Sequence, residues 1–167
     1  MAKNCSGLFH KTHGEDLYYG SDPDQLKEKA FAYAEEIFEN GNSKERNTLN
    51  TVCVVYDEKN NNYYYGRNKG IELHKTSKNV IIFGDDKHTG LLPKTSLNDF
   101  PLGNCAEVDA INNALNAGAQ LEYLHIVTLD VKKKNIRSHN IVGKCACENC
   151  TAAFKNKIKQ NHTKWKE

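Results

Sequence analysis

The chain has 167 residues, enough to bury about two-thirds of its unfolded surface in one core without help from disulfides. Its 23 Lys and Arg nearly balance 21 Asp and Glu, so net charge says little and only the distribution of charge is informative. No apolar run approaches the eighteen or so residues of a membrane helix, and Met1-Ala2-Lys3-Asn4 opens without the charged and then apolar stretch of a signal peptide.

Residues 1–21, rich in His, Gly and Asp, read as an irregular lead-in, and residues 22–167 as a single domain. Asp22 can cap a helix with Pro23 in its first position and Gln25 in its third; Leu26, Ala30, Tyr33, Ala34, Ile37 and Phe38 then recur at helical spacing until Gly41. That helix carries packing residues and no chemistry. Thr51 to Tyr56 is β-branched and apolar, Asn60-Asn61-Asn62 is a turn cluster, and Tyr63-Tyr64-Tyr65 begins a second strand, which predicts a hairpin. These tyrosines suit core and cross-strand pairs better than base stacking.

Asn79 to Phe83 predicts a further short strand, and Gly84 to Gly103, with Pro93 and Pro101, a long loop of the kind that forms a rim or lid. Asn104 can cap the next helix, whose Val108, Ile111 and Leu115 share one stripe, with Ala110 and Ala114 beside it and Gly118 as its stop. Tyr123 to Val131 predicts another strand. A third helix starts near Cys147, with Phe154 and Ile158 following Cys150 at spacings of four and a Lys-rich helical pattern beyond. Strands alternating with helices argue for an α/β layer fold with helix N-termini meeting over the strand ends. The last seventeen residues leave no fourth and fifth strands, so the sheet is short or recruits Asn79 to Phe83 as an edge.

Of six cysteines, Cys145, Cys147 and Cys150 fall within six residues, a spacing that suits a metal better than separate bridges. Cys53 reads as a small apolar residue in a strand and Cys5 as part of the lead-in. Cys105 stands in the first turn of its helix, and Cys147 and Cys150, three apart, share one helix face. Three thiols leave the fourth position of a tetrahedral zinc to water, whereas a structural site would require a fourth ligand. Helix N-termini favour the thiolate form such ligands need. Glu107, two residues after Cys105, is then a proton carrier rather than a ligand, the pattern of zinc nucleobase deaminases. Zinc lowers the pKa of a bound water from about 15.7 to roughly 7, and Glu107 would pass protons to the ring nitrogen and the departing amine. The competing reading is a zinc site that staples two helices, with Glu107 a solvated helix residue. None of the seven histidines shows ligand spacing to another; His125 in its strand, His139 in a basic loop, and His10, His13, His74, His88 and His162 read as structural or solvated.

Charge separates along the chain. Residues 1–130 carry 13 basic and 19 acidic side chains, and residues 131–167 carry 10 basic and 2 acidic. The basic end holds Lys132, Lys133, Lys134, Arg137, Lys144, Lys155, Lys157, Lys159, Lys164 and Lys166, and would draw a polyanion to the half that carries Cys147 and Cys150. A solvated face with a ragged tail is the alternative.

Gly103-Asn104-Cys105-Ala106-Glu107-Val108-Asp109-Ala110, with Asn113-Ala114-Leu115 and then Cys147-Glu148-Asn149-Cys150, resembles the YwqJ-like branch of the cytidine-deaminase-like superfamily, C-terminal domains of bacterial polymorphic toxins. The likeness runs from about residue 50 to 155 and is specific at the two motifs. It implies a three-layer α/β/α sandwich with a central mixed sheet, from which this sequence departs in having no fourth and fifth strands after Cys150, so that the sheet is either shortened at the C-terminus or completed by Asn79 to Phe83. It also implies Cys105, Cys147 and Cys150 on Zn2+, Glu107 as proton shuttle, the backbone of Ala106 facing the base, Asn104 lining the pocket and Asn68 against the sugar. A toxin domain of this kind is released from a larger secreted protein, acts in the target-cell cytoplasm, and is neutralised by a cognate immunity protein, with no membrane partner. The superfamily usually has Pro before the first Cys of its C-x-x-C; here Ala146 stands there with Cys145 before it, which makes Cys145 a competing ligand. The expected reaction is hydrolytic deamination of a nucleobase, cytosine in single- or double-stranded nucleic acid before others. A zinc-stapled nucleic-acid-binding module without turnover, or a deaminase of free nucleosides or nucleotides, are the rival readings.

Overall fold

β1, Thr51–Asp57, is buried along its whole length and is the strand on which the rest of the sheet is built. The computed structural model describes residues 20–73 and 90–167. Cys5, His10, His13, His74, His88, most of the lead-in, the strand expected at Asn79 to Phe83 and the first part of the 84–103 loop lie outside them.

β1 pairs antiparallel with β2, Asn62–Arg67, through the expected hairpin, and antiparallel on its other side with β3, Leu124–Asp130. Burial on both faces explains why β1 reads as a continuous apolar run rather than an alternation. The outer edge of β3 carries two strands the sequence did not announce. β4, Val142–Gly143, lies antiparallel at one end, and β5, Gln160–Asn161, lies parallel at the other. Between them the edge is closed by Lys144 N–H donating to the Thr128 carbonyl and Thr128 N–H donating to the Thr163 hydroxyl. The result is a mixed α/β fold on a five-stranded, mainly antiparallel sheet in which β2, β1, β3 and β4 are neighbours in that order and β5 also pairs with β3.

Helices cover both faces of the sheet. α1, Pro23–Asn40, is capped as expected: the Asp22 carboxylate accepts from Asp24 N–H at 3.1 Å, and Gly41 ends it. Its buried Leu26, Ala30, Phe31 and Ala34 meet Val52, Val54, Val127 and Leu129. α2, Ser43–Thr48, was not anticipated; it buries nothing and is held by a capping box between Asn42 and Glu45. α3 is a single turn, Gly70–Leu73. On the opposite face, α4, Ala106–Asn116, and α6, Glu148–Phe154, pack Ala110, Ile111, Ala114, Cys150, Ala153 and Phe154 against Cys53, Val55, Leu124 and Ile126. α5, Lys133–Arg137, follows β3. The helical pattern beyond Cys150 ends at Phe154, and Ile158 is buried from a turn that leads into β5. The tyrosines serve packing, with ring centroids of Tyr56 and Tyr63 5.0 Å apart and those of Tyr33 and Tyr65 5.1 Å apart. His139 sits edge-on to Phe31 at 4.5 Å. No helix among the described residues is long and apolar enough to cross a membrane.

Gly66 sets the distance between α4 and the hairpin. A Cβ there would stand 2.2 Å from Ala110 N and 2.6 Å from Ala106 O, both backbone atoms that cannot swing away. Gly66→Ala should therefore cost about 3 kcal/mol, read as a lower denaturant midpoint; an unchanged midpoint would mean α4 does not rest on β2 this way.

β5 brings together two histidines that are unrelated by sequence spacing: His125 Nδ1 lies 3.3 Å from His162 Nε2, and the rings stack. Burial, then the neighbouring His125, pushes His162 down to about 4, and burial also lowers His125 against the pull of Glu58. Unfolded histidines bind protons below about 6.5 that the folded pair refuses, so this part of the stability is present above that pH and is lost as pH falls towards 4. Allowing for the partial exposure of His162, unfolding free energy should drop by of order 1 kcal/mol between pH 7.5 and 5. His162→Gln should flatten that slope, as measured by urea titration at each pH.

Candidate metal centre

The two helix N-termini on one face of the sheet bring three thiols together. Cys105 is the N-cap of α4 and Cys147 the N-cap of α6, both in extended backbone and neither capped by its side chain. The cap of α4 is thus one residue later than the expected Asn104, and Glu107 is the second residue of the helix. Cys150 follows one turn into α6 and is fully buried. The three Sγ atoms lie within 4.8 Å of one another, with Cys105 Sγ and Cys147 Sγ 3.0 Å apart. All three cysteines are free thiols, and no fourth Cys, His, Asp or Glu joins them among the described residues. Cys145, the competing ligand in the sequence, is taken up in a disulfide.

These atoms fit a metal ion. Sulfurs bound about 2.3 Å from a tetrahedral zinc stand roughly 3.8 Å apart, within the range the cluster spans. The thiols also share one another's protons unevenly. Hydrogen bonds from Cys105, then Cys150, and from the backbone N–H groups of Cys150 and Asn149 hold the Cys147 thiol far below its usual range. The hydrogen bond to Cys147 pushes Cys105 upward, and hydrogen bonds to Cys105 and then to Cys147 push Cys150 upward. Cys147 is thus the thiol poised to ionise first, and a cation bound by the cluster would draw protons off the other two.

Glu107 is only 3 % exposed. Burial raises its carboxyl to about 7, its own backbone N–H opposes this, the nearby Cys147 adds to it, and Lys144 and the Thr128 hydroxyl pull it back. A carboxyl able to hold or release a proton near neutrality therefore stands two residues from the first thiol.

The remaining expected residues are placed unequally. Ala106 is fully buried; as the first helical residue its N–H has no partner within the helix, while its carbonyl faces Gly66. Asn104 meets its neighbours through its backbone, its N–H donating to Pro101 O and its carbonyl accepting from Lys69 N–H. Asn68 is a clamp between strand ends. Its Oδ1 accepts from Asn50 and Thr51 N–H at 2.9 and 3.1 Å, and its Nδ2 donates to Thr48 O at 2.7 Å, leaving a single side-chain N–H for a sugar.

Asn149, between the second and third thiols, went unnoticed in the sequence. Its Oδ1 accepts from Leu97 N–H at 2.8 Å and its Nδ2 donates to Ser96 Oγ at 3.0 Å and Asn98 Oδ1 at 3.3 Å. Asn98 Nδ2 donates to Glu148 at 3.0 Å. The described part of the long loop is thereby fastened to the α6 turn as a rim, and presents the exposed Leu97 and Phe100. An Asn within a C-x-x-C was the one signal available.

No family model, curated protein or solved structure matches the chain.

The cluster should take up one divalent ion per chain. Titration with Co2+ should saturate at one equivalent with thiolate-to-metal absorption, and Cys105→Ser, Cys147→Ser and Cys150→Ser should each weaken binding by at least about tenfold. Cys53→Ala should leave it unchanged; equal loss in all four variants would mean that the cluster is not the site.

Proposed function

We propose that the chain is a zinc-dependent nucleobase deaminase with a cytidine-deaminase-like α/β/α sandwich, of the YwqJ-like kind. The observation that carries this is the convergence of three free thiols at two helix N-termini with a buried carboxylate, Glu107, two residues past the first. Three thiols with no fourth ligating side chain among the described residues favour an open coordination position over a structural staple, and a staple has no use for a buried carboxylate beside it.

Cys105, Cys147 and Cys150 would hold the ion. Zinc bound there supplies a water that ionises near neutral pH and so a nucleophile for an amino-bearing ring carbon. Glu107 accepts a proton on its carboxylate, delivers it to the adjacent ring nitrogen, and returns a proton to the departing amine, so that water and an aminopyrimidine become a carbonyl and ammonia. Ala106 N–H and Asn104 border the base, and the last N–H of Asn68 is what that residue has left for a sugar. The wall provided by Leu97 to Phe100 keeps the base in a confined position, which is where proximity contributes to rate. Cytosine in a nucleic acid is the preferred substrate. As a toxin domain the chain would act in the cytoplasm of a target cell, and an immunity protein would cover the pocket.

Single-stranded DNA, RNA and free nucleosides should be incubated with the zinc-loaded protein and with Glu107→Gln, scoring ammonia and base conversion. Conversion by the parent, lowered at least about 10²-fold in the variant at unchanged zinc content, is the expected result. No conversion of any substrate at one zinc per chain would leave the nucleic-acid-binding module without turnover.

A further inference from the structure

The lysines of the C-terminal end do not form a ragged tail. After α6 the chain turns through Ile158, pairs as β5 and comes back along α6: Ala146 N–H donates to Lys164 O at 3.1 Å, Asn161 Nδ2 donates to the same carbonyl at 2.8 Å, and Lys166 N–H donates to Thr151 Oγ1 at 3.1 Å. Trp165 packs, as Cys105 and Cys147 do, against the hydrophobic cluster that holds Cys150, Ala153, Phe154 and Ile158. Between these segments lies a solvent-open cavity of about 370 Å³, lined among others by Lys155, Ile158, Lys159, Lys164, Trp165 and Glu167.

Its charge is unevenly satisfied. Lys159 is paired with Glu58, whereas Lys155 and Lys164 make no ion pair among the described residues, and Glu167 is the one carboxylate on the wall. Two unpaired ammonium groups beside an indole, in a space the size of a small-ligand site, match the way single strands are held: phosphates on lysine, a base on an aromatic ring. An acidic peptide would use the lysines and leave the indole idle.

We infer that this cavity is a second nucleic-acid subsite, which seats one nucleotide of a single strand with its phosphate between Lys155 and Lys164 and its base on Trp165. Lys155 follows the helix whose N-cap is Cys147, so it stands about 12 Å along that helix from Cys147 at 1.5 Å per residue. The inference deepens the deaminase reading, on which its purpose rests, by selecting a polymer over a free nucleoside as the substrate.

Trp165 is the chain's one tryptophan, so its emission reports on the cavity directly. The probe is a thymine-only single-stranded DNA, which has no exocyclic amine and keeps the chemistry silent, with fluorescence anisotropy of the labelled strand as a parallel readout. Binding should quench Trp165 and weaken steeply with salt. Lys155→Ala with Lys164→Ala should raise Kd roughly tenfold and reduce the salt slope by about 0.7, the share of the one phosphate seated there, while Lys133→Ala with Lys134→Ala, the same charge removed elsewhere, should change neither appreciably. Equal weakening in both pairs, no change in Trp165 emission on binding, or equal competition by poly-glutamate would overturn the subsite. The two readings fail separately. Thymine strands bound as described with no base ever deaminated would sink the deaminase and leave the subsite; cytosine deaminated with Trp165 silent would do the reverse.

Discussion

The backbone contact between Gly66 and the first turns of α4 determines the depth of everything on that face of the sheet. With no side chain at residue 66, the Ala106 carbonyl and the Ala110 amide approach β2 directly. Ala106, Ala110 and Ala114 are fully buried as a result, and the small residues leave the N-terminus of α4 low over the strand ends. That is what brings Cys105 level with Cys147, which arrives from the other side on α6. The thiol cluster is therefore a consequence of helix packing on the sheet.

The same packing explains the burial of Glu107. Its helix position turns it toward β3, where Thr128 and Lys144 lie close enough to affect its charge, as does Cys147. A carboxylate so placed would be costly if it served only stability, because burial disfavours its ionised form. Asp109, also buried, is different: it accepts the Arg67 N–H at 2.9 Å and so ties α4 to the end of β2. Two acidic residues two positions apart on one helix thus divide between a structural and a chemical setting.

Where the sequence carried a strong periodicity, it was legible. α1, the hairpin and β3 appear within a residue or two of their expected limits, because apolar spacing and Asp22-Pro23 or Asn60-Asn61-Asn62 punctuate them. The three thiols of the site were legible for the same reason, through the spacing of Cys147 and Cys150 and the Glu that follows Cys105. What escaped has little local signal. α2 has no buried face, and β4 and β5 are two residues each, defined by pairing with β3 rather than by propensity. The Phe154 and Ile158 spacing suggested a longer helix; both residues are buried, but one from the helix and the other from the turn after it. The partners of Asn68 and Asn149 lie 17 to 53 residues away, a relation that only the fold creates.

Asn149 has a further bearing on how such a site changes over generations. Its amide holds the loop by the main chain of Leu97 and the side chains of Ser96 and Asn98, while the side chains of Leu97 and Phe100 are more than half exposed. The residues that brace the α6 turn and those that stay exposed are interleaved in one short stretch. The two exposed side chains can therefore be exchanged over generations while the hydrogen bonds that hold the loop to the α6 turn are inherited intact.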